Sequence, residues 1–468
     1  MSGDLLNRLE LLQNQKDKYL EDLFDFLRIP SITRDKDEVK KAAKWLENRL
    51  ALTANYVEIV ETKGNPAVIA EWEPQLKFDS GQKKPVLLYY GHYDVQPPEP
   101  LDEWISPPFE PEIREGRIYA RGVGDNKGQL FANLCGIEWL HKKKQLSSKV
   151  KFIFDGEEEL GSPNLEEALK AKKEFFEDID LVIVSDGPAD PTWKPVLEFG
   201  ARGIQTVQIH LKSAKGDVHS GNFGGIQPNP VWDVIKLLRT MRDENGKCLI
   251  EGFYDDVFIP TEAAIKAAEE LNRDPEIYKE QLGISYFGGE QDLPLTHRLM
   301  FRPTFNIRGF KSGEVQENAK TMIPKEAIVE IDVRLVPNQT PEKMTKLIQA
   351  HFEMLRHKSE RFAAIIDRCT LKFGSSFYPM FTSLELPWTQ ILEKAIEEGF
   401  EEKPIKIPLA GGSLPLYSLY KVTGKPMYVI PYAQPDEDNH APNENMMVDW
   451  FLKGINTSIA ILENLGKQ

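Results

Sequence analysis

The sequence predicts an α/β protein in which a mixed, largely parallel sheet is assembled from both ends of the chain, with a smaller ferredoxin-like α+β domain inserted between them. Three observations predict it. Apolar runs alternate with helix-period segments from residue 86 to about 200. The order then changes to strand, helix, strand, strand, helix, strand. Alternation resumes at about residue 385 and continues toward the C-terminus. The boundaries fall at 1–203 for the first part of the larger domain, 204–384 for the inserted domain and 385–468 for the second part. More than one domain is expected of 468 residues.

The elements follow in order. MSGDLLNRLELLQNQKDKYLEDLFDFL is an amphipathic helix with charges throughout, lacking the apolar centre of a signal peptide. VLLYY is a strand, and RIYARGVGD runs from a short strand into a Gly-rich turn. From Gly128 to Leu140, the residues Leu130, Leu134, Ile137 and Leu140 recur at helical spacing. VKFIF (150–154) and LVIVSD (181–186) are apolar strands. Between them Ser162 is placed as the N-cap of a helix, with Pro163 in its first turn. In the inserted domain TVQIHL (206–211) alternates as a half-buried strand, and PNPVWDVIKLLRTMRD is a helix. A helix-rich insertion spans about 246 to 300. PTFNIRGF, AIVEIDVRLVP and IDRCTLKFG are strands, and PEKMTKLIQAHFEMLRHK is a helix. The last element is the apolar-faced helix MMVDWFLKGINTSIAILENL.

Net charge is −15, which argues against nucleic acid or an anionic membrane as partner. No run reaches the roughly 18 apolar residues that span a bilayer. Cys135, Cys248 and Cys369 form no CxxC pair, so a reducing, cytoplasmic location is expected.

Chemistry concentrates where predicted strands end. GHYDVQPP exposes His92 and Asp94 two residues apart, which suits a metal-binding imidazole with an orienting carboxylate and suits a surface turn equally. Asp125 in GVGDNKG, Glu157-Glu158-Glu159 in FDGEEELGS and Asp186 in VSDG follow the same rule. Strand carboxyl ends share one edge in open α/β sheets, and four acidic loops gathered there repel one another. One or two divalent cations resolve that conflict. Imidazole and carboxylate without thiolate suit catalytic Zn²⁺, or Mn²⁺ or Co²⁺. His141, His351 and His357 lie among charged residues and are expected in solvent; His210 and His297 are expected to be structural. His92, His219 in KGDVHSGNFGG and His440 in PDEDNHAPNEN lie in Gly-, Asn- or Pro-rich loops, where functional residues concentrate. A glutamate triplet is ordinarily a solvated turn. Placed after a buried strand, it offers one metal ligand and one general base.

GHYDVQPP, RGVGDNKGQ, EEELGS, VSDG, DVHSGNFGG, VRLVPNQTPE and NHAPNE occur in the order found in the co-catalytic zinc peptidases, and the chain resembles that family from about residue 20 onward. The family includes the cytosolic nonspecific dipeptidase, the carnosinases, aminoacylase and the glutamate carboxypeptidases; DVHSGNFGG and GGSLP are most similar to the dipeptidase and carnosinase branch. The resemblance implies two metal ions per subunit. Asp125 bridges them, His92 and Asp186 complete one, and Glu159 and His440 the other. It implies Glu158 as general base, with an affinity for protons raised by its neighbour Glu157, and Asp94 as the group orienting His92. The inserted domain becomes a lid and dimerisation domain. His219 reaches the partner subunit's site in a homodimer, Arg334 receives the substrate carboxylate, and Thr321 and Ser413 contact substrate. A strand arginine paired with Asp332 or Glu330 is the plainer reading of Arg334. Two segments depart from the branch: PLAGGSLP lacks an acidic residue before its glycines, and FGSSFYPMFTS replaces a His-Gly-Gly-like stretch. The implied activity is hydrolysis of small peptides by a broad-specificity dipeptidase. The alternatives are an N-acyl-amino-acid deacylase or carboxypeptidase and, in another class, a non-catalytic metal-binding scaffold.

Overall fold

The computed structural model describes residues 3–76, 84–271 and 274–468. The chain divides into two compact units, one comprising Met1–Gly200, Thr382–Pro408 and Ser418–Gln468, the other Ala201–Phe381 and Leu409–Tyr417.

The first unit is built on an eight-stranded sheet. Across it run Tyr56–Val60, Ala67–Trp72, Val150–Asp155, Leu87–His92, Leu181–Val184, Met427–Val429, Val196–Glu198 and Ile405–Ile407. Leu87–His92 pairs in parallel with both of its neighbours, and Met427–Val429 is parallel to Leu181–Val184. Ile405–Ile407 is parallel to Val196–Glu198, and the remaining three pairings are antiparallel. Leu87–His92 and Val150–Asp155 are buried at every position. Parallel strands covered on both faces read as continuous apolar runs for that reason. The helix Lys127–Lys142 is buried from Lys127 to Leu140. It packs on the helix Val448–Leu465, where a Cβ on Gly136 would lie 2.6 Å from Ser458.

Two expectations are corrected here. Ser162 does not cap a helix: the helix is Leu165–Ala171 with Asn164 before it, and Ser162 sits at φ +50. Its hydroxyl instead donates to Asp155 Oδ2 at 2.6 Å, joined there by Tyr90 at 3.1 Å. A buried carboxyl needs partners, and that demand outweighs the local cap. His351 is not in solvent but 6% exposed. It shares the buried stripe of Met344, Ile348 and Leu355 at helical spacing and meets Thr240 Oγ1 at 2.9 Å.

The second unit carries a four-stranded antiparallel sheet in the order Thr304–Lys311, Glu326–Leu335, Gly203–Lys212, Cys369–Phe377. With the helices Pro230–Met241 and Pro341–Lys358 in the crossovers, this is the ferredoxin-like arrangement. Glu326–Leu335 alternates strictly, burying Ala327, Val329, Ile331, Val333 and Leu335 against those helices. Among the described residues of the 246–300 insertion lie three short helices, Glu262–Glu270, Pro275–Leu282 and Leu295–Met300. Among the described residues no helix is long and apolar enough to cross a membrane.

Close helix packing gives a stability test. A Cβ on Gly399 would lie 1.9 Å from Thr457 Oγ1 and 2.7 Å from its Cα, whereas one on Gly216 meets nothing within 4 Å. Gly399→Ala is expected to cost about 1–3 kcal/mol through overpacking, and Gly216→Ala to be nearly neutral. Urea denaturation of the two variants side by side checks the difference.

Candidate metal centre

Each side chain of the centre is delivered by the end of a strand or by the loop after it. His92 closes Leu87–His92 and is opposite Asp155 in the parallel register. Its Nδ1 lies 3.0 Å from the Asp94 carbonyl and 3.4 Å from Asp94 Oδ1. A carbonyl only accepts, so Nδ1 carries the hydrogen, and a neutral ring then presents a bare Nε2. That Nε2 faces two further acceptors, Asp125 Oδ1 at 2.9 Å and Asp186 Oδ2 at 3.7 Å. His440 repeats the pattern: its Nε2 lies 3.0 Å from Asp125 Oδ2 and 3.3 Å from Glu159 Oε2. His440 holds φ +61, a left-handed conformation that few non-glycine residues adopt.

Asp125 therefore turns one carboxylate oxygen toward each imidazole. Ligand-capable atoms of His92, Asp125 and Asp186 lie within 4.8 Å of one another, as do those of Asp125, Glu159 and His440. Acceptors that converge in this way need protons or cations between them. In the metal-free chain protons serve. Burial pulls the His92 pKa down, but the hydrogen bonds its ring donates to Asp125 and Asp94 carry it well above the ordinary value. Hydrogen bonds to Asp125 and Glu159 raise His440 to about 10. Burial raises Asp186 to about 6, even against the pull of His92. Glu159 Oε1 is buried with no hydrogen-bond partner. An orphaned buried carboxylate oxygen beside two imidazole nitrogens, bare once their protons leave, fits divalent cations.

The glutamate triplet divides its tasks. Glu157 accepts the Asn65 N–H at 2.8 Å and Asn164 Nδ2 at 2.7 Å, so it braces the loop. Glu159 belongs to the ligand group and also accepts Gln96 Nε2 at 2.9 Å. Glu158 makes neither kind of contact. Burial raises its pKa well above the carboxylate range; His92 opposes the rise, while Asp186, Asp125 and Glu159 add to it. The expected influence of Glu157 is thus replaced by burial. The Asp94 carboxylate accepts the backbone N–H groups of Glu158 at 3.1 Å and Glu159 at 3.2 Å, tying their turn to the His92 strand.

Glu444 holds the Asp125 loop, and no sequence signal revealed it. Its carboxylate accepts the N–H groups of Gly122, Gly124 and Asp125 at 2.9–3.0 Å and Arg121 Nη1 at 2.6 Å, all buried. Its place in NHAPNE was legible; its partner loop, more than three hundred residues away, was not. Glu437 is also new: 1% exposed, with both oxygens unpartnered and a pKa pushed well up by burial and then by Asp125.

The other expected residues belong to the second unit. His219 is exposed on the short strand Val218–His219, and its Nδ1 accepts the Gly221 N–H. Thr321 is exposed, and its carbonyl accepts the Ser220 N–H at 3.1 Å. Arg334 Nη1 donates to Ser413 Oγ at 3.0 Å, with Nε 3.7 Å from Asp332. Pairing of His219 with Met322 thus sets His219 near Thr321, and a hydrogen bond joins Arg334 to Ser413.

Two ligand groups sharing one aspartate, gathered where strands end, have the donor set of a two-metal hydrolase centre. A model of Peptidase family M20/M25/M40 matches residues 88–464, and the chain belongs to that family: it is a hydrolytic metallopeptidase. The Beta-Ala-His dipeptidase of Rattus norvegicus is 29% identical over 405 residues, covering 86% of this chain and 80% of that one. The Cys-Gly metallodipeptidase DUG1 of Candida albicans is 29% identical over 480 residues, covering 98% of this chain and 96% of its own. The M20 family metallo-carboxypeptidase Sso-CP2 from Sulfolobus solfataricus matches with a TM-score of 0.84 at 31% identity, over 96% of this chain and 99% of that one.

The imidazole protons make cation binding depend on pH. Below about 10 the metal-free His440 holds a proton that a cation must displace. Affinity should therefore rise about tenfold per pH unit for each proton released, and fall as pH falls. Calorimetric titration of metal-free protein with zinc, in buffers of different ionisation enthalpy at pH 7–8, is expected to register at least one released proton per bound cation. A proton count near zero contradicts this account.

Proposed function

We propose that the protein is a dipeptidase of broad specificity, acting on small peptides with a free carboxyl terminus. The observation that carries the proposal is Asp125 shared between two ligand groups, with the unliganded Glu158 beside them. The relatives named for Beta-Ala-His and Cys-Gly dipeptides support it. His92 and Asp186 would hold one cation, Glu159 and His440 the other, with Asp125 on both. The donor set lacks thiolate and suits zinc, with Mn²⁺ or Co²⁺ as alternatives. Three free cysteines support a reducing, cytoplasmic setting.

Bound cations supply a water of near-neutral pKa and polarise the scissile carbonyl. Glu158 accepts the proton of the attacking water and returns it to the departing amine as the C–N bond breaks. Burial raises its proton affinity and bound cations would lower it, a balance that suits both halves of that task. Arg334 holds the substrate carboxylate through parallel hydrogen bonds, with Ser413 fixing the guanidinium. His219 of a homodimer's partner subunit donates to the oxyanion, a contact worth about 2.7–4 kcal/mol elsewhere, and Thr321 beside it contacts substrate. A carboxypeptidase acting on longer chains is the second reading, favoured by the similarity to the Sulfolobus metallo-carboxypeptidase.

Rates on dipeptides, tripeptides and longer peptides with Zn²⁺, Mn²⁺ or Co²⁺ separate the two: dipeptides are expected to be cleaved fastest, and a preference for long chains overturns the first reading. Glu158→Ala is expected to retain both cations and lose about 10²–10⁴ in kcat. Mixed with inactive His219→Ala, it should regain part of the activity through heterodimers. A Glu158→Ala chain with near-normal kcat refutes the base, and no recovery after verified subunit exchange refutes action across subunits.

A further inference from the structure

The second unit contains a cavity of about 490 Å³ whose wall includes Arg202, Arg242, Arg298, Arg302 and Arg334. Among the described residues of that wall, Glu290 and Asp332 are the carboxylates. Arg302 is paired with Glu290 at 3.0 Å, and Arg334 Nε lies 3.7 Å from Asp332. Arg202, Arg242 and Arg298 form no ion pair among the described residues. Backbone carbonyls position them instead. Arg202 Nε and Nη2 donate to Gly411 at 3.1 and 3.0 Å, and Arg242 Nε to Gly246 at 3.3 Å. Arg298 reaches Leu293, Gly288 and Gln291 at 2.7–3.1 Å.

Carbonyl dipoles fix a guanidinium without cancelling its charge. Arg202 is 8% exposed, and burial with the nearby charge of Arg334 lowers its pKa to about 10, so it stays charged at neutral pH. Asp332 opposes that shift without forming an ion pair with Arg202, and a buried cation so weakly compensated is costly and out of character in a chain of net charge −15. Leu295, Leu299 and Phe305 complete the wall with apolar surface. The cavity therefore combines room for a short aliphatic stem with donors for a carboxylate at its end.

We propose that this cavity receives the acidic side chain of the residue whose α-carboxylate Arg334 holds, so that the enzyme prefers peptides ending in aspartate or glutamate. The proposal rests on the reading of Arg334 as the carboxylate-binding group and extends it to a substrate class. Arg242 and Arg298 set the preference, and Arg202 supplies buried positive charge behind them.

The test is kcat/KM for Ala-Glu against Ala-Gln, which match in shape and differ in charge, with Ala-Ala as reference. The metal-loaded enzyme is expected to favour Ala-Glu by about ten- to a hundredfold, the range of a charge-assisted hydrogen bond. Arg242→Gln should shrink the ratio severalfold, and Arg298→Gln further. The ratio is internal to each preparation, so partial misfolding leaves it readable. L-glutamate should also inhibit Ala-Ala hydrolysis at lower concentration than L-glutamine. Equal rates on Ala-Glu and Ala-Gln with active Ala-Ala turnover overturn the cavity proposal and leave the dipeptidase standing. Absence of turnover on all three overturns both.

Discussion

Carboxyl groups crowded onto one edge of a sheet are the constraint on which the first unit depends. Asp94, Asp125, Asp186, Glu158, Glu159, Glu437 and Glu444 come together there, and among the described residues the positive partners in their ion pairs are His92, His440 and Arg121. Burial and mutual repulsion raise the proton affinities of Asp186, Glu158, Glu437 and Glu444 together. The opposite shift at Asp125, forced down against its own burial by the two imidazoles, marks it as the focus of the arrangement. Metal ions replace the protons that otherwise relieve this crowding.

Such crowding persists only where the backbone holds it. Asp94 ties the glutamate turn to the His92 strand, Glu444 gathers three N–H groups of the Asp125 loop, and Glu157 braces Asn65. These are carboxylates spent on backbone donors rather than on ligands. They leave ligand side chains little freedom, which is what a centre of fixed geometry requires. Glu158, held between them, makes no side-chain hydrogen bond or ion pair among the described residues, which suits the proton transfer proposed for it.

Much of this architecture was legible in the sequence where the deciding forces are local. Pro341 at a first helical turn after Thr340 marks the start of a helix that runs to Lys358, as the sequence indicated. Buried parallel strands announced themselves as apolar runs, and five ligand candidates were legible because each lies in a loop or at a strand end. Partnerships between distant segments escaped. Glu444 looked like one more polar loop residue, since nothing near it in the chain shows the Gly122–Asp125 loop it caps. Ser162 obeyed Asp155 instead of its own helix. His351 was misjudged because charged neighbours on its helix masked its place on the apolar stripe. The roles of Arg334 and His219 came from resemblance alone, and the arginine-lined cavity was invisible because its members are spread from 202 to 334.

The central claim is that one aspartate joins two cations within a single centre. Anomalous diffraction at the zinc edge from crystals of the zinc-loaded protein tests it most directly. Two peaks per chain are expected, one touched by His92 and Asp186, the other by Glu159 and His440, with Asp125 reaching both. A single peak, or two peaks with Asp125 on neither, contradicts it.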